Sequence, residues 1–461
     1  MRKTILKAIA LLVIPFAMAG LSSGDTYAEE VDEGIMIFIT PSSAPACRIT
    51  NYKGDRAYDK CEGDVASRVL FNNETNTLTL NSDGNDIYIE FDYTTPTSLT
   101  IESNGDYSND HITIAGDLNG INHTIIFDLN GHTYSGYISG MYHYVNLVVN
   151  QNSILNLDSF DYTFVGLTIN GGELNLNSID EYSKTLKLTQ LHLIKGKIKT
   201  DGEIYITEKA TVESGSIEAK SMSTRNTTIN GGKISILSDD PCWEALEVGG
   251  DFIVNGGQVF LQNQATSPCD KPYTPESKVG VQLVAQCADF DCTSYTYTPK
   301  ITVNDGQIEI NGFEIGLEGE VQNLRQDVRF NGGVTSIKNS AKLAFSITSI
   351  VPPSGDDLIF GNNMGIEEKG VTMLEREGEI DGYYIYEKYI PAVAKATIKN
   401  LAESDDSDNE SDIKVPDTGT INSKEGGALA IFTATTFIIL ETITAVGIYK
   451  KHTSGHFKYD K

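Results

Sequence analysis

Six cysteines are the residues of this chain with the clearest chemistry: Cys47, Cys61, Cys242, Cys269, Cys287 and Cys292. An even number of cysteines is typical of disulfides in chains that leave the cytosol. Proximity pairs the first two, and we expect the other four to pair in the order in which they occur. A zinc site is the alternative, but the cysteines form no Cys-x-x-Cys pair and no histidine clusters with them, so we predict no metal.

Paired carboxylates could serve a glycosidase or a calcium-dependent lyase. The pairs nearest the last four cysteines are Asp239-Asp240 and Asp289/Asp291, and the lysines around them form no recognisable motif. Adjacent acids on a turn are usually solvated. The sequence also lacks a nucleophile elbow, a phosphate loop and a metal-binding histidine pair. We therefore predict no catalytic residue and no cofactor, and keep a carbohydrate-active enzyme as the alternative.

Aromatic side chains lie among the same four cysteines. They are Trp243, Tyr273, Phe290, Tyr295 and Tyr297. Rings on a loop held by disulfides could stack on sugar faces or anchor a protein partner. This stretch is the candidate ligand-binding loop, and the alternative is a loop whose disulfides only stabilise it.

The C-terminal residues follow a fixed order of segments. An acidic, Ser-rich linker covers 401–414, and the pentapeptide Val415, Pro416, Asp417, Thr418 and Gly419 follows it. An apolar run over 428–448 is long enough to cross a bilayer, and the lysine pair after it favours the cytoplasmic side. Glu441 in the middle of the run makes this a marginal membrane span.

Together these segments resemble the sorting signal of Gram-positive-type cell-wall proteins, an LPxTG-like pentapeptide followed by an apolar stretch and a positive tail. The resemblance covers 415–461. The resemblance implies that a sortase cuts between Thr418 and Gly419 and joins the Thr418 carboxyl to peptidoglycan. The partners would then be the sortase and, through a covalent bond, peptidoglycan. Val415 stands where the family usually has Leu, which leaves the class of sortase open. An uncleaved C-terminal anchor is the alternative.

The pattern of the N-terminal residues predicts a signal peptide over 1–28. Three cations precede an apolar run that is too short to span a bilayer as a mature helix. Small residues allow cleavage after Ala19 or after Ala28, and we favour Ala28 because acidic chain follows it. The alternative is an uncleaved anchor. Both ends predict an exported protein displayed on a bacterial cell surface.

The middle of the chain repeats one sequence motif, in which apolar residues alternate on either side of an Asn-Gly bend. Copies occur at 167–176, 228–236, 253–259, 302–308 and 330–334. The bend glycines are 172, 196, 215, 232, 257, 306 and 333, and we count the longest interval, 257 to 306, as two repeat units. Repeats of about twenty residues predict a β-solenoid, with Asn side chains stacked in a ladder at the corner. A hairpin-based sandwich is the rival fold, since Asn-Gly also closes hairpins.

The predicted fold is therefore an all-β parallel β-helix. Residues 70–400 form its repeat domain and 29–69 its N-terminal cap. Residues 124–133 resemble the opening coil of the pectin-lyase-like right-handed β-helices. That family includes lyases, hydrolases, adhesins and stalks, so the resemblance implies a fold and leaves the function open.

The charge excludes one class of partner. The chain has 35 Lys+Arg against 63 Asp+Glu, a formal charge of −28, so a nucleic-acid backbone would be repelled. We predict an adhesin or ligand-binding stalk that recognises a glycan or a host or neighbour-cell surface ligand. The alternative is a wall-bound polysaccharide lyase or glycosidase.

Overall fold

The computed structural model describes most of the middle of the chain. The described residues are 35–41, 46–49, 60–82, 85–91, 96–115, 121–140, 145–159, 162–178, 185–239, 244–266, 278–284, 286–287, 295–297, 299–321, 327–339, 343–349, 358–361, 363–367, 374–380, 383–391 and 396–403. The signal peptide, the sorting motif and the membrane segment predicted above lie outside these residues and stay predictions. Within the described part, no helix has the length and apolarity to cross a membrane.

The chain divides into two compact units, Met1–Asp158 and Ser159–Lys461. Strands make up 71% of the described residues and helices 3%, and most strands pair in parallel, which is consistent with the predicted β-solenoid. Parallel pairing of successive repeats argues against the hairpin-based sandwich, because hairpins join strands that run antiparallel.

The first unit contains eleven described strands and one short helix. The strands are β1 (Ile35–Pro41), β2 (Cys47–Arg48), β3 (Val69–Asn72), β4 (Thr77–Leu80), β5 (Asn85–Phe91), β6 (Ser98–Ser103), β7 (Tyr107–Ala115), β8 (His123–Phe127), β9 (Thr133–Gly140), β10 (Val145–Val149) and β11 (Ile154–Ser159). The helix α1 covers Gly63–Arg68.

Two parallel stacks of strands build this unit. One stack is β4–β6–β8–β10 and the other is β5–β7–β9–β11. At the start of the unit β1 lies antiparallel on β5, and β3 lies antiparallel on β4. The capping role predicted for 29–69 stays a prediction.

The second unit continues with β12 (Tyr162–Ser178), β13 (Thr185–Thr200), β14 (Glu203–Val212), β15 (Ser216–Ala219), β16 (Ser221–Ile229), β17 (Lys233–Ser238), β18 (Leu246–Val248), β19 (Asp251–Val254), β20 (Gln258–Asn263), β21 (Val279–Leu283), β22 (Gln286–Cys287) and β23 (Tyr295–Tyr297). Its later strands are β24 (Lys300–Val303), β25 (Gln307–Asn311), β26 (Ile315–Val321), β27 (Asp327–Phe330), β28 (Val334–Lys338), β29 (Leu343–Ser349), β30 (Leu358–Phe360), β31 (Met364–Ile366), β32 (Leu374–Ile380), β33 (Tyr383–Pro391) and β34 (Ala396–Asn400).

Three strands per coil recur through the middle of the second unit. The stacks β18–β21–β26–β29, β19–β24–β27–β30 and β17–β20–β25–β28 are parallel throughout. Near the end of the unit β33 and β34 pair antiparallel on β29 and β28. A 3-10 turn at Leu401–Glu403 follows, so the first residues of the predicted linker are in a turn and the rest lie outside the described part.

Alternation of side chains explains the core. Ile234 and Ile236 point inward on β17, and Val259 and Leu261 stack beneath them on β20. All four are at most 1% exposed. A single coil cannot enclose these side chains, so each coil needs its neighbours to keep water from its apolar face.

The bends of the second unit stack glycine on glycine. Gly232, Gly257 and Gly306 all have positive φ, between 75° and 87°. A Cβ at Gly257 would lie 2.5 Å from the carbonyl oxygen of Gly232. The corner therefore requires glycine for its backbone angle and for the approach of the next coil.

The longest interval between bends is a single coil, so our count of two units was wrong. Gly306 packs directly against Gly257, and Gln258 of β20 is in register with Gln307 of β25. The extra length lies on either side of β21, which is a regular strand of this coil: one insertion separates β20 from β21, and another, which includes the β22–β23 pair, separates β21 from β24. One coil can lengthen in this way because an insertion between its strands leaves the stacking of the corners unchanged.

Candidate functional site

Six outward side chains of the first unit form two adjacent rows across β5, β7 and β9. Asp86, His111 and Tyr137 are in register in one row, and Tyr88, Thr113 and Ser139 are in register in the next. They point outward because Ile87, Ile112 and Ile138, which alternate with them, are at most 1% exposed in the core. We call these six residues the His111 face.

Direct contacts join four of the six members of the His111 face. Nε2 of His111 lies 2.6 Å from Oγ of Ser139, and that oxygen lies 3.0 Å from Oγ1 of Thr113. The rings of His111 and Tyr137 are 4.8 Å apart at a 50° tilt. Aromatic, imidazole and hydroxyl groups are therefore held together on a sheet whose strand positions are fixed by pairing.

The environment of Tyr137 favours the protonated phenol. Burial raises the pKa of its phenol above the ordinary value of 10.0, because the phenolate is less well solvated there. The phenol is therefore neutral near pH 7 and can donate a hydrogen bond. Tyr137 is half-buried, so part of the ring remains accessible to a ligand.

The Ser139–His111 contact resembles part of a nucleophilic triad, and register places Asp86 beside His111. A triad needs the carboxylate to hold the imidazole, and among the described residues no contact joins the side chains of Asp86 and His111. The arrangement therefore offers hydrogen-bonding groups and a ring rather than an assembled nucleophile.

A second cluster, of carboxylates, lies on the second unit. Glu247 on β18 is in register with Ser223 on β16, whose Oγ donates a hydrogen bond to Oε1 of Glu247 at 3.3 Å. Glu203 on β14 and Glu244, just before β18, lie close enough to act on it. We call Glu203, Glu244 and Glu247 the Glu247 cluster.

The pKa of Glu247 is raised from 4.5 to about 7, and burial is the largest cause of this shift. The charge of Glu244, its hydrogen bond to Glu247 and the charge of Glu203 contribute to the increase, whereas the Ser223 hydrogen bond opposes it. A carboxyl that titrates near neutral pH can act as a general acid beside an ionised carboxylate. No group of three or more metal-binding side chains occurs among the described residues.

The asparagine ladder predicted at the corner is confirmed. Nδ2 of Asn255 donates to Oδ1 of Asn230 at 2.9 Å, and Asn304 and Asn331 extend the chain of hydrogen bonds at 2.8 Å each. Nδ2 of Asn230 donates to Oε2 of Glu213 at 3.0 Å, at the N-terminal end of the ladder. We call Asn230, Asn255, Asn304 and Asn331 the Asn ladder.

The first predicted disulfide is confirmed. Cys47 and Cys61 are bonded, with Cα atoms 5.0 Å apart. The backbone of Cys287 lies on β22 opposite Tyr295 of β23. The other three cysteines lie outside the described residues, so their pairing stays a prediction.

The predicted ligand-binding loop is described only in its backbone. Tyr295 and Tyr297 lie on β23, which pairs antiparallel with β22. Trp243, Tyr273 and Phe290 lie outside the described residues. The structure therefore leaves the binding role of this loop as a prediction.

Sequence reasoning missed both the His111 face and the Glu247 cluster. The available signal was the alternation of Asp86 with Tyr88, of His111 with Thr113 and of Tyr137 with Ser139, one coil apart. Comparison with protein-family models, with curated proteins and with solved structures finds no match to this chain. Function has to be inferred from the geometry of the chain itself.

Proposed function

We propose that this chain is a bacterial cell-surface protein that a sortase attaches to peptidoglycan, and that it binds a neutral glycan through the His111 face. The predicted signal peptide over 1–28 and the sorting segments over 415–461 support export and attachment. The His111 face supports binding, since the described part places an aromatic ring, an imidazole and hydroxyls on one rigid sheet.

The contact geometry suits a sugar. A ring edge or face of Tyr137 offers apolar contact to the C–H face of a hexose, and its neutral phenol offers a polar end. Ser139 and Thr113 can exchange hydrogen bonds with sugar hydroxyls, and Asp86 can accept them. Each row of the His111 face crosses three strands and therefore spans about 10 Å, or two strand spacings, which matches the length of a short oligosaccharide.

Charge favours a neutral ligand over an anionic one. Without the predicted signal peptide and the residues after Thr418, the chain keeps 27 Lys+Arg against 59 Asp+Glu. A surface with this excess of negative charge repels sialylated or uronic-acid polymers at long range. Neutral hexoses and N-acetylated amino sugars carry no such penalty.

A glycan array probed with the fragment 29–418 tests this proposal. We expect retention on neutral glycans that free ligand displaces, and little change in retention as salt is raised. Retention restricted to anionic glycans, or none on any glycan, would contradict the proposal.

The Glu247 cluster favours a second function, that of a wall-bound carbohydrate-active enzyme. Glu244 hydrogen-bonds to Glu247 there, the charge of Glu203 also acts on Glu247, and the pKa of Glu247 is about 7. The same array, analysed for release of shortened products, separates the two functions. Product release with a pH limb near neutrality, abolished by Glu247→Gln, would support the enzyme, whereas retention without cleavage supports a binding protein.

A further inference from the structure

Asn-Gly steps are the bonds of a polypeptide most prone to spontaneous deamidation. They occur in this chain at 104–105, 119–120, 130–131, 170–171, 230–231, 255–256, 311–312 and 331–332. The backbone nitrogen of the glycine attacks Cγ of the asparagine, ammonia leaves, and a succinimide forms. Water then opens the succinimide to aspartate or isoaspartate, so the net reaction exchanges ammonia for water.

Reaction at an Asn-Gly step has two structural requirements. The asparagine side chain must turn towards the peptide bond that follows it, and the glycine N–H must be free to lose its proton. Hydrogen bonds that hold either group, or neighbours that fill the space around the glycine, therefore slow the reaction. The fold can make chemically identical steps react at different rates.

The Asn ladder holds the asparagine side chains of three of these steps. Oδ1 of Asn230 accepts from Asn255, and Oδ1 of Asn255 accepts from Asn304. Nδ2 of Asn331 donates to Asn304. Each amide is therefore held by a hydrogen bond to an adjacent coil, which restricts its rotation towards the peptide bond that follows it.

The glycines of the ladder steps are also restrained. The N–H of Gly231 donates to the carbonyl of Val212 at 3.4 Å, and the N–H of Gly332 donates to Val303 at 3.2 Å. A Cβ at Gly256 would lie 2.8 Å from the carbonyl oxygen of Asn230, so the neighbouring coil crowds this peptide. Succinimide formation at the ladder would require the corner to open.

Asn130-Gly131 has none of these restraints within the described part of the chain. Both residues are exposed and have positive φ, 55° and 91°. The turn is closed beneath them by the N–H of His132, which donates to the carbonyl of Leu129 at 3.0 Å. No described residue hydrogen-bonds to the side chain of Asn130, and open space surrounds the Cβ position of Gly131.

We propose that Asn130 is a self-modification site of this protein, which converts to aspartate or isoaspartate while the Asn ladder protects its own Asn-Gly steps. The product adds a negative charge next to a turn that already carries Asp128. Close by, Oδ1 of Asp106 lies 3.5 Å from Nδ1 of His132. Isoaspartate also adds a methylene to the backbone between β8 and β9. The modification therefore marks the age of each molecule at this turn.

Peptide mapping by mass spectrometry tests the proposal. The full-length chain, purified in detergent, is incubated in mildly alkaline buffer, and deamidation is followed at each Asn-Gly step. We expect Asn130 to react at least about tenfold faster than Asn230, Asn255 and Asn331, a difference of about 1.4 kcal/mol in activation free energy. Equal rates in the folded protein, or faster reaction in the ladder, would overturn the proposal.

Two controls attribute the difference to the fold. In concentrated urea all four steps should react at similar rates, and a difference that persists there would show that local sequence is responsible. Asn255→Ala removes the hydrogen bond to Oδ1 of Asn230, so Asn230 should react faster in this variant while Asn130 keeps its rate. An unchanged rate at Asn230 would show that the Asn ladder does not protect its asparagines from deamidation.

Discussion

At the scale of single residues, position in a cross-strand row decides what a side chain can do. Ser223 and Glu247 are far apart in the sequence, yet register brings them within 3.3 Å. Burial, which the local sequence does not indicate, and the neighbouring Glu244 then raise the pKa of Glu247 to about 7. A glutamate of this kind makes stability depend on pH.

We predict that the chain loses stability as pH rises from about 4.5 to 7. The folded state keeps the Glu247 proton to higher pH than the unfolded chain does, so deprotonation in this window favours unfolding. Urea unfolding at pH 5 and pH 8 measures the effect. Glu247→Gln should reduce the difference between the two pH values, whereas the exposed matched change Asp251→Asn should leave it as it is. Equal pH dependence in both variants would contradict the assignment to Glu247.

At the scale of elements, the corners of the second unit determine where each coil turns and how the coils stack. The glycine stack and the Asn ladder run along the same bend, and both depend on every coil turning at the same place. Strands tolerate substitution of outward side chains, whereas a corner that cannot turn displaces the next coil.

We predict that Gly257→Ala lowers the free energy of unfolding by about 3 kcal/mol or more. The new Cβ would lie 2.5 Å from the carbonyl oxygen of Gly232, and alanine would have to adopt a positive φ. Gly131→Ala is the matched control, since it has the positive φ but open space. It should cost about 1 kcal/mol. Urea unfolding of both variants checks this, and equal losses would show that the stacking of corners adds nothing.

The sequence predicted the corners because their requirement is local. An Asn-Gly bend followed by alternating apolar residues specifies positive φ and an inward face without reference to the rest of the chain. Parallel stacking and the ladder then follow from the period. The interval from Gly257 to Gly306 was misjudged because an insertion inside one coil and an extra coil have similar lengths.

The candidate sites could not be predicted in the same way. His111 and Ser139 meet only when the register of β7 and β9 is known, and register depends on corner lengths that differ from coil to coil. The first unit also lacks the repeated Asn-Gly-Gly phrase that fixes the register of the second. A binding surface made of outward side chains therefore leaves little trace in the sequence.

At the scale of the whole molecule, the proposed attachment to peptidoglycan depends on the predicted sorting segments over 415–461. We predict that Thr418→Ala leaves the protein in the membrane fraction, because the acyl transfer implied by the sorting motif needs the Thr418–Gly419 bond. Thr420→Ala, two residues further on, is the matched control and should remain in the wall fraction. Immunoblots of both fractions measure this, and wall attachment of Thr418→Ala would disprove the sorting signal.

Binding of a neutral oligosaccharide by the His111 face is the central claim for the whole molecule. The most direct test is titration calorimetry of the glycan that the array selects against the fragment 29–418 and its variants. Tyr137→Ala and His111→Ala should each weaken binding by about tenfold, or roughly 1.4 kcal/mol, as ring contacts and hydrogen bonds are lost. Tyr205→Ala, an exposed tyrosine on the second unit, should bind as the unchanged chain does. Unchanged affinity in Tyr137→Ala and His111→Ala would contradict the claim.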